Sequence, residues 1–251
     1  MGHFFMKIDK SEEIEMPFLD HLEELRWRII KSLIAVVVVS VICFFFAEYI
    51  LELFLISSKN LKQPLNLQVL KVQTTFVIYL EIALIFGIIL SLPIIFYQVW
   101  AFVAPGLLVK ERKYVIPVVL FATISFIGGA SFAYFIIVPF ALDFFLSLAP
   151  TQVVNNIALD FYFGFVLRIV VVFGIVFELP VVSLFLTKIG ILTPQILKKY
   201  RKYAIVGIFI LAAILTPPDP TTQVMLAVPL VILYEITIWI SYIFTKKKNI
   251  S

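Results

Sequence analysis

The sequence predicts an all-α integral membrane protein with six spanning helices and both termini on the cytoplasmic side. Three observations carry that prediction. The 251 residues are 62% hydrophobic and only 14% charged, with a mean hydropathy of +1.08, whereas soluble domains run at about 45–50% apolar and about 25% charged. The apolar residues fall in unbroken blocks, not in the alternating pattern of a membrane β-barrel. The basic residues are distributed unevenly between the connections. A chain this apolar cannot stay solvated as a disordered coil.

Residues 1–28 are polar and rich in acids, among them Asp9, Glu12, Glu13, Glu15, Asp20, Glu23 and Glu24. A cleavable secretory leader would open with a short basic stretch and a short apolar core. This start has neither, so the first apolar block is expected to be retained. From Met16 on, Phe18, Leu22, Leu25 and Ile29 recur at helical spacing while the acids point elsewhere, which predicts a cytoplasmic amphipathic helix over residues 16–28. Pro17 suits its first turn, where a missing N–H is harmless.

Six apolar blocks follow, at about 29–47, 76–104, 114–138, 161–186, 203–215 and 224–244. The second is long enough to span while tilted. The fifth has about 13 residues, short for a crossing at about 1.5 Å per residue. The two larger connections, about 48–75 and 139–160, are expected to be external loops. The second, with Pro139, Asp143, Phe144 and Phe145, reads as an interfacial helix. Residues 245–251 form a basic tail, expected to face anionic headgroups. The whole chain reads as one membrane domain, without linkers or internal repeats.

Orientation follows from counting Lys and Arg. If both ends share a side, that side holds 16 of the 20 basic residues, including Lys110, Arg112, Lys113, Lys198, Lys199 and Lys246 to Lys248. The other side holds Lys59, Lys62 and Lys71, and Arg168 lies inside a span. Positive residues stay on the cytoplasmic side. Trp27, Trp100 and Trp239 fall near the cytoplasmic span ends, where aromatic rings anchor at headgroups.

No cofactor or metal is expected. Cys43 is the single cysteine, and His3 and His21 both precede the first block, so neither a thiolate site nor an HExxH zinc motif can form. No GxxxxGK phosphate loop occurs, so energy must come from elsewhere. An intramembrane enzyme would need a nucleophile–base pair or two facing carboxylates, and the spans contain no histidine.

Glu178 is the most informative residue of the spans. It lies ten positions before Lys188, about 15 Å from that boundary and so near the bilayer centre. A carboxylate there costs on the order of 2.5–3.5 kcal/mol, which points to function or to a water-filled cavity. Pro180 removes the amide that would bond the Val176 carbonyl, predicting a kink. Arg168 is too far along the same helix to pair with Glu178 and is expected to snorkel toward the outer interface. Glu81 lies near the outer end of the second block, and Glu235, midway along the sixth, is either a second buried carboxylate or a residue on a water-exposed face. Glu24 and Arg28 stand at i, i+4, the spacing of a helix-surface salt bridge.

Several strings together resemble the TatC family, the polytopic subunit of the twin-arginine, Sec-independent protein translocase. They are PFLDHLEELRWRI at 17–29, PIIFYQVWAFVAPGLLVKERK at 93–113, FAYFIIVPFALDFF at 132–145, FGIVFELPVV at 173–182, LTPQILKKYRKY at 192–203 and TPPDPTTQVMLAVPLVILYEI at 216–236. The resemblance covers about residues 16–244 and leaves residues 1–15 as a variable, flexible start. It implies a curved, cupped bundle of six spans in the cell membrane, working as signal-peptide receptor and scaffold for export of folded proteins, driven by the proton-motive force.

The resemblance further implies that Glu24 and Glu111 read the signal's two arginines, with Arg26 and Phe102 shaping the same patch. Carboxylates accept the planar guanidinium fork bidentately, which lysine cannot offer. Glu178 would face the concave, wetted side. Thr216 and Gln223 would dock single-span TatA/TatB-type subunits through polar contacts between helices. Ala213 stands where relatives carry larger side chains, and Asp219 reads as an outer-face structural residue. Expected partners are twin-arginine signal peptides, those subunits, membrane lipids and further copies of the chain, with no nucleic acid. The competing reading is a proton-coupled small-solute carrier using Glu178 or Glu235 as a relay, though no repeat symmetry supports it.

Overall fold

The computed structural model describes residues 18–59, 61, 65–104, 115–148, 155–216 and 219–248. Pro17, the basic residues at 110–113 and the end of the basic tail lie outside them. Helix α1 (Phe18–Phe45) is continuous: the expected amphipathic helix and first span are one element, because no Gly or Pro interrupts the run. It lies along α3 (Thr74–Val103). Gly87 makes that approach possible, since a Cβ there would meet Ser40 Oγ at 1.9 Å.

The connection expected as an external loop at 48–75 contains a helix, α2 (Ala47–Lys59), and a short strand, β1 (Asn66–Gln68). Ala47, Leu51 and Phe54 form the buried stripe of α2, at i, i+4 and i+7. Thirteen residues are marginal as an isolated helix, and packing supplies the stability. The Tyr134 and Tyr162 hydroxyls donate to the Leu53 and Phe54 carbonyls at 2.5 and 3.0 Å. Strand β1 pairs in parallel with β2 (Asn156–Ala158), Leu67 opposite Ile157, joining the two long connections.

The third apolar block does not end at 138. Helix α4 (Val115–Phe132) passes through a π-helical turn (Ala133–Ile137) into α5 (Val138–Ser147). Asp143, Phe144 and Phe145 therefore extend the third span instead of forming a separate interfacial helix. The wider π turn accommodates Pro139, which lacks the amide an α-helix requires.

Helices α6 (Leu159–Val176) and α7 (Glu178–Lys188) meet at a break on Phe177, three residues before Pro180. Gly190, at φ 85°, ends α7. The amides of Ile191 and Gly190 bond back to the carbonyls of Leu186 and Thr187 at 3.0 and 3.1 Å, the paired closure a left-handed glycine permits. Thr193 caps α8 (Pro194–Leu215) through its hydroxyl. Asp219 caps α9 (Pro220–Lys248), its Oδ2 accepting from the Thr222 amide at 2.9 Å.

Helix α6 is the centre of the core. Phe163, Val166, Ile169 and Phe173 have no exposed surface and pack with Ile82 of α3 and Leu230 of α9. A smaller cluster gathers Trp100, Val115, Val119 and Phe185. Among the described residues, five helical runs are long and apolar enough to cross a membrane: His21–Phe45, Thr74–Val103, Val115–Ser147, Leu159–Lys188 and Pro220–Thr245. The expected short span at 203–215 is the apolar part of α8, whose first half carries Lys198, Lys199, Arg201 and Lys202.

Candidate functional site

Three groups of polar residues interrupt this apolar structure. The first lies where α1 begins and α3 ends. Arg28 donates from Nε to Glu24 Oε1 at 3.0 Å, with Nη2 on the same oxygen, and from Nη1 to Gln98 Oε1 at 3.4 Å. Glu24 Oε2 is shielded without a hydrogen-bond partner, 3.8 Å from His21 Nδ1. The His21 ring stacks on Phe102, with centroids 4.3 Å apart and planes 14° from parallel.

Glu24 and Phe102 are thus brought together through His21. Arg26 is not part of this group: two residues on, it lies about 200° round α1 from Glu24 and is exposed. Glu111 lies outside the described residues. Sequence reasoning missed His21 and Gln98, though one is three residues before Glu24 and the other four before Phe102, the spacings that share a helix face. Trp100 is a correction. It is buried against Phe185, with ring centroids 4.0 Å apart, and cannot anchor at headgroups, whereas Trp27 and Trp239 are exposed.

The second group surrounds the α6–α7 break. Glu178 opens α7, and both its carboxyl oxygens are shielded and without a hydrogen-bond partner. The carboxyl is therefore covered by the chain itself and does not lie open on a wetted face. Ser125 donates to the Phe177 carbonyl at 2.6 Å. Tight packing holds the break in place: a Cβ on Gly129 would meet Phe177 Cβ at 2.7 Å, and one on Gly174 would meet the Phe126 ring at 2.6 Å. Arg168 donates to its own helix at Gly164, 2.8 Å away. Glu235 is not an isolated buried acid, because Arg201 Nε sits 2.5 Å from its Oε1 and ties α8 to α9.

The third group closes the α8–α9 hairpin. Thr216 is buried and donates to the Ala212 carbonyl at 2.9 Å, while Gln223 Nε2 donates across the helix pair to the Phe209 carbonyl at 2.9 Å. Deeper along α9, Ser241 shares a buried 2.8 Å hydrogen bond with Thr187 of α7. Cys43 is buried and free. Among the described residues, no three His, Cys, Asp or Glu side chains gather as metal ligands do.

Comparison with known proteins places this architecture. Residues 20–229 match the family described as Sec-independent protein translocase protein, TatC. The chain is 42% identical over 241 residues to the Sec-independent protein translocase protein TatC of Desulforapulum autotrophicum, covering 95% of this chain and 88% of that protein. It is 42% identical over 238 residues to the TatC of Aquifex aeolicus, covering 93% and 98%. A crystal structure of a twin-arginine translocase receptor, TatC, in DDM superposes with a TM-score of 0.81 at 42% identity, over 88% of this chain and 99% of that one. The fold is that of a multi-pass membrane component of a protein translocase, and the chain belongs to the TatC family.

Proposed function

We propose that this protein is the signal-peptide receptor and core scaffold of a twin-arginine translocase, moving folded proteins across the cell membrane with the proton-motive force. The observation that carries the reading is the state of Glu24. Its carboxylate already holds one guanidinium, that of Arg28, and keeps a second oxygen unbonded under the His21–Phe102 stack, which displacement of the His21 ring would open to a signal arginine. A signal arginine needs such an acceptor, with aromatic surface for its planar group. Glu111 supplies the second acceptor, which makes the site selective for a pair of arginines over a single cation. Arg26, exposed on α1, borders the site electrostatically rather than lining it.

In this reading the chain crosses the membrane six times, the apolar half of α8 being the short fifth crossing. Both termini are cytoplasmic, in keeping with the 16 basic residues on that side and the positive-inside rule. Thr216 and Gln223 dock the single-span TatA/TatB-type subunits. Their hydrogen bonds within the hairpin hold polar side chains ready at the α8–α9 seam. Glu178 acts after capture, as the polar point of the scaffold, and copies of the chain associate in the assembled translocase.

The test is photo-crosslinking of a twin-arginine signal peptide to a probe at Gln98 in the purified complex. Capture is expected for the arginine pair, with loss for a lysine-pair peptide and for the double variant Glu24→Ala, Glu111→Ala. Equal capture of both peptides, or normal capture by the double variant, overturns the assignment. Solute flux without peptide capture would favour a small-solute carrier.

A further inference from the structure

At the opposite end from Glu24, a cleft of about 620 Å³ opens between the first turns of α3 and α6. Two cations and two anions line it: Lys71 and Arg168, Glu81 and Asp160. The cleft has the size of a small-ligand site, and none of the residues assigned to signal capture, subunit docking or the α6–α7 break contributes to it.

Its depth is informative. Helix α3 has 30 residues, about 45 Å at 1.5 Å per residue, around a hydrocarbon core of about 30 Å. Glu81, seven residues into α3, lies about 3 Å below the core boundary if the helix is centred. Arg168 starts deeper, nine residues into α6, but its side chain turns back to the Gly164 carbonyl, one turn nearer the boundary. Both charges therefore reach the core boundary, where the headgroup region begins.

They do not neutralise each other. Among the described residues, neither Arg168 nor Glu81 joins an ion pair. Opposite charges at a membrane boundary that share a cleft without touching leave room for a group carrying both signs. The exposed rings and branches of Phe161 and Val77 line the same opening, an apolar wall suited to acyl chains.

We propose that this cleft binds the headgroup of a phospholipid with a primary ammonium, phosphoethanolamine: Arg168 and Lys71 take the phosphodiester, while Glu81 and Asp160 take the ammonium. Guanidinium and ammonium groups at this depth are natural phosphate partners. The two carboxylates distinguish the site from a general anion site, because they repel a lipid that offers only negative charge.

The experiment is native mass spectrometry of the full chain in dodecyl maltoside, titrated with dioleoyl phosphatidylethanolamine, phosphatidylglycerol or phosphatidylcholine. The ethanolamine lipid is expected to bind about tenfold more tightly than either other lipid, the effect of one charge-assisted hydrogen-bond set. Arg168→Gln lowers affinity for all three lipids, while Glu81→Gln abolishes the preference and leaves phosphatidylglycerol binding in place. If Arg168→Gln fails to fold, Arg168→Lys is read instead, with weakened but selective binding expected. Equal affinities for the three lipids, or no change with Glu81→Gln, overturn the proposal. Displacement of the lipid by millimolar inorganic phosphate overturns the lipid assignment in favour of a soluble phosphate.

Discussion

The Ser125 hydroxyl of α4 donates to the Phe177 carbonyl at 2.6 Å, bridging two helices at the point where α6 gives way to α7. Pro180 brings no amide to this turn, so the break exposes carbonyls that the apolar surroundings cannot solvate. One side-chain donor from a neighbouring helix adds a second bond to the carbonyl of Phe177, the N-cap of α7. Ser125→Ala should destabilise the protein by about 0.5–1.5 kcal/mol through loss of that hydrogen bond. Thermal unfolding in detergent reads the effect, and an unchanged midpoint would show that the break is held by packing alone.

Adjacent glycines on α4 should respond in opposite directions. A Cβ at Gly129 would meet the Phe173 carbonyl oxygen at 2.8 Å, whereas one at Gly128 meets nothing within 4 Å. Gly129→Ala should lower stability by about 1–3 kcal/mol through overpacking, and Gly128→Ala should raise it by roughly 0.5–1 kcal/mol through helix propensity. Parallel melts of the two variants check the contrast, which fails if both shift the same way.

Glu178 is kept at a cost to stability. Its two carboxyl oxygens are shielded and unbonded, and an unsatisfied buried polar group costs about 1–3 kcal/mol. Glu178→Leu should therefore melt at a higher temperature than the parent while export of a folded reporter falls and peptide crosslinking at Gln98 stays normal. Unimpaired export would leave the carboxylate without a role in transport.

The Arg201–Glu235 pair links α8 to α9 with Arg201 about half exposed and Glu235 less so. Partly exposed pairs contribute little and are screened by salt. Glu235→Gln should lower stability by under about 1 kcal/mol at low ionic strength, with the difference vanishing in high salt, and should leave export intact. Loss of export with stability unchanged would instead make Glu235 a relay.

Much of the secondary structure was legible in the sequence, because hydropathy is a local property. The apolar blocks fall on α1, α3, the run from α4 into α5, the α6–α7 pair, α8 and α9, with ends within about two residues of the helices where they overrun, and Pro180 marks the break at Phe177. The elements that were misjudged draw their stability from distant contacts. Helix α2 is held by Tyr134 and Tyr162, 81 and 108 residues along the chain. The run into α5 depends on a π turn that no pattern of apolar residues announces.

The sequence by itself determined that the chain is membrane-embedded, which segments are apolar and which residue types can hold a guanidinium. Tertiary structure decided which of those residues meet: it set His21 between Glu24 and Phe102, buried Trp100, turned Arg26 away and joined Glu235 to Arg201. The physical reason is that burial in lipid depends on each segment's own composition. Contacts between charges and rings depend instead on the crossing of helices far apart in the chain.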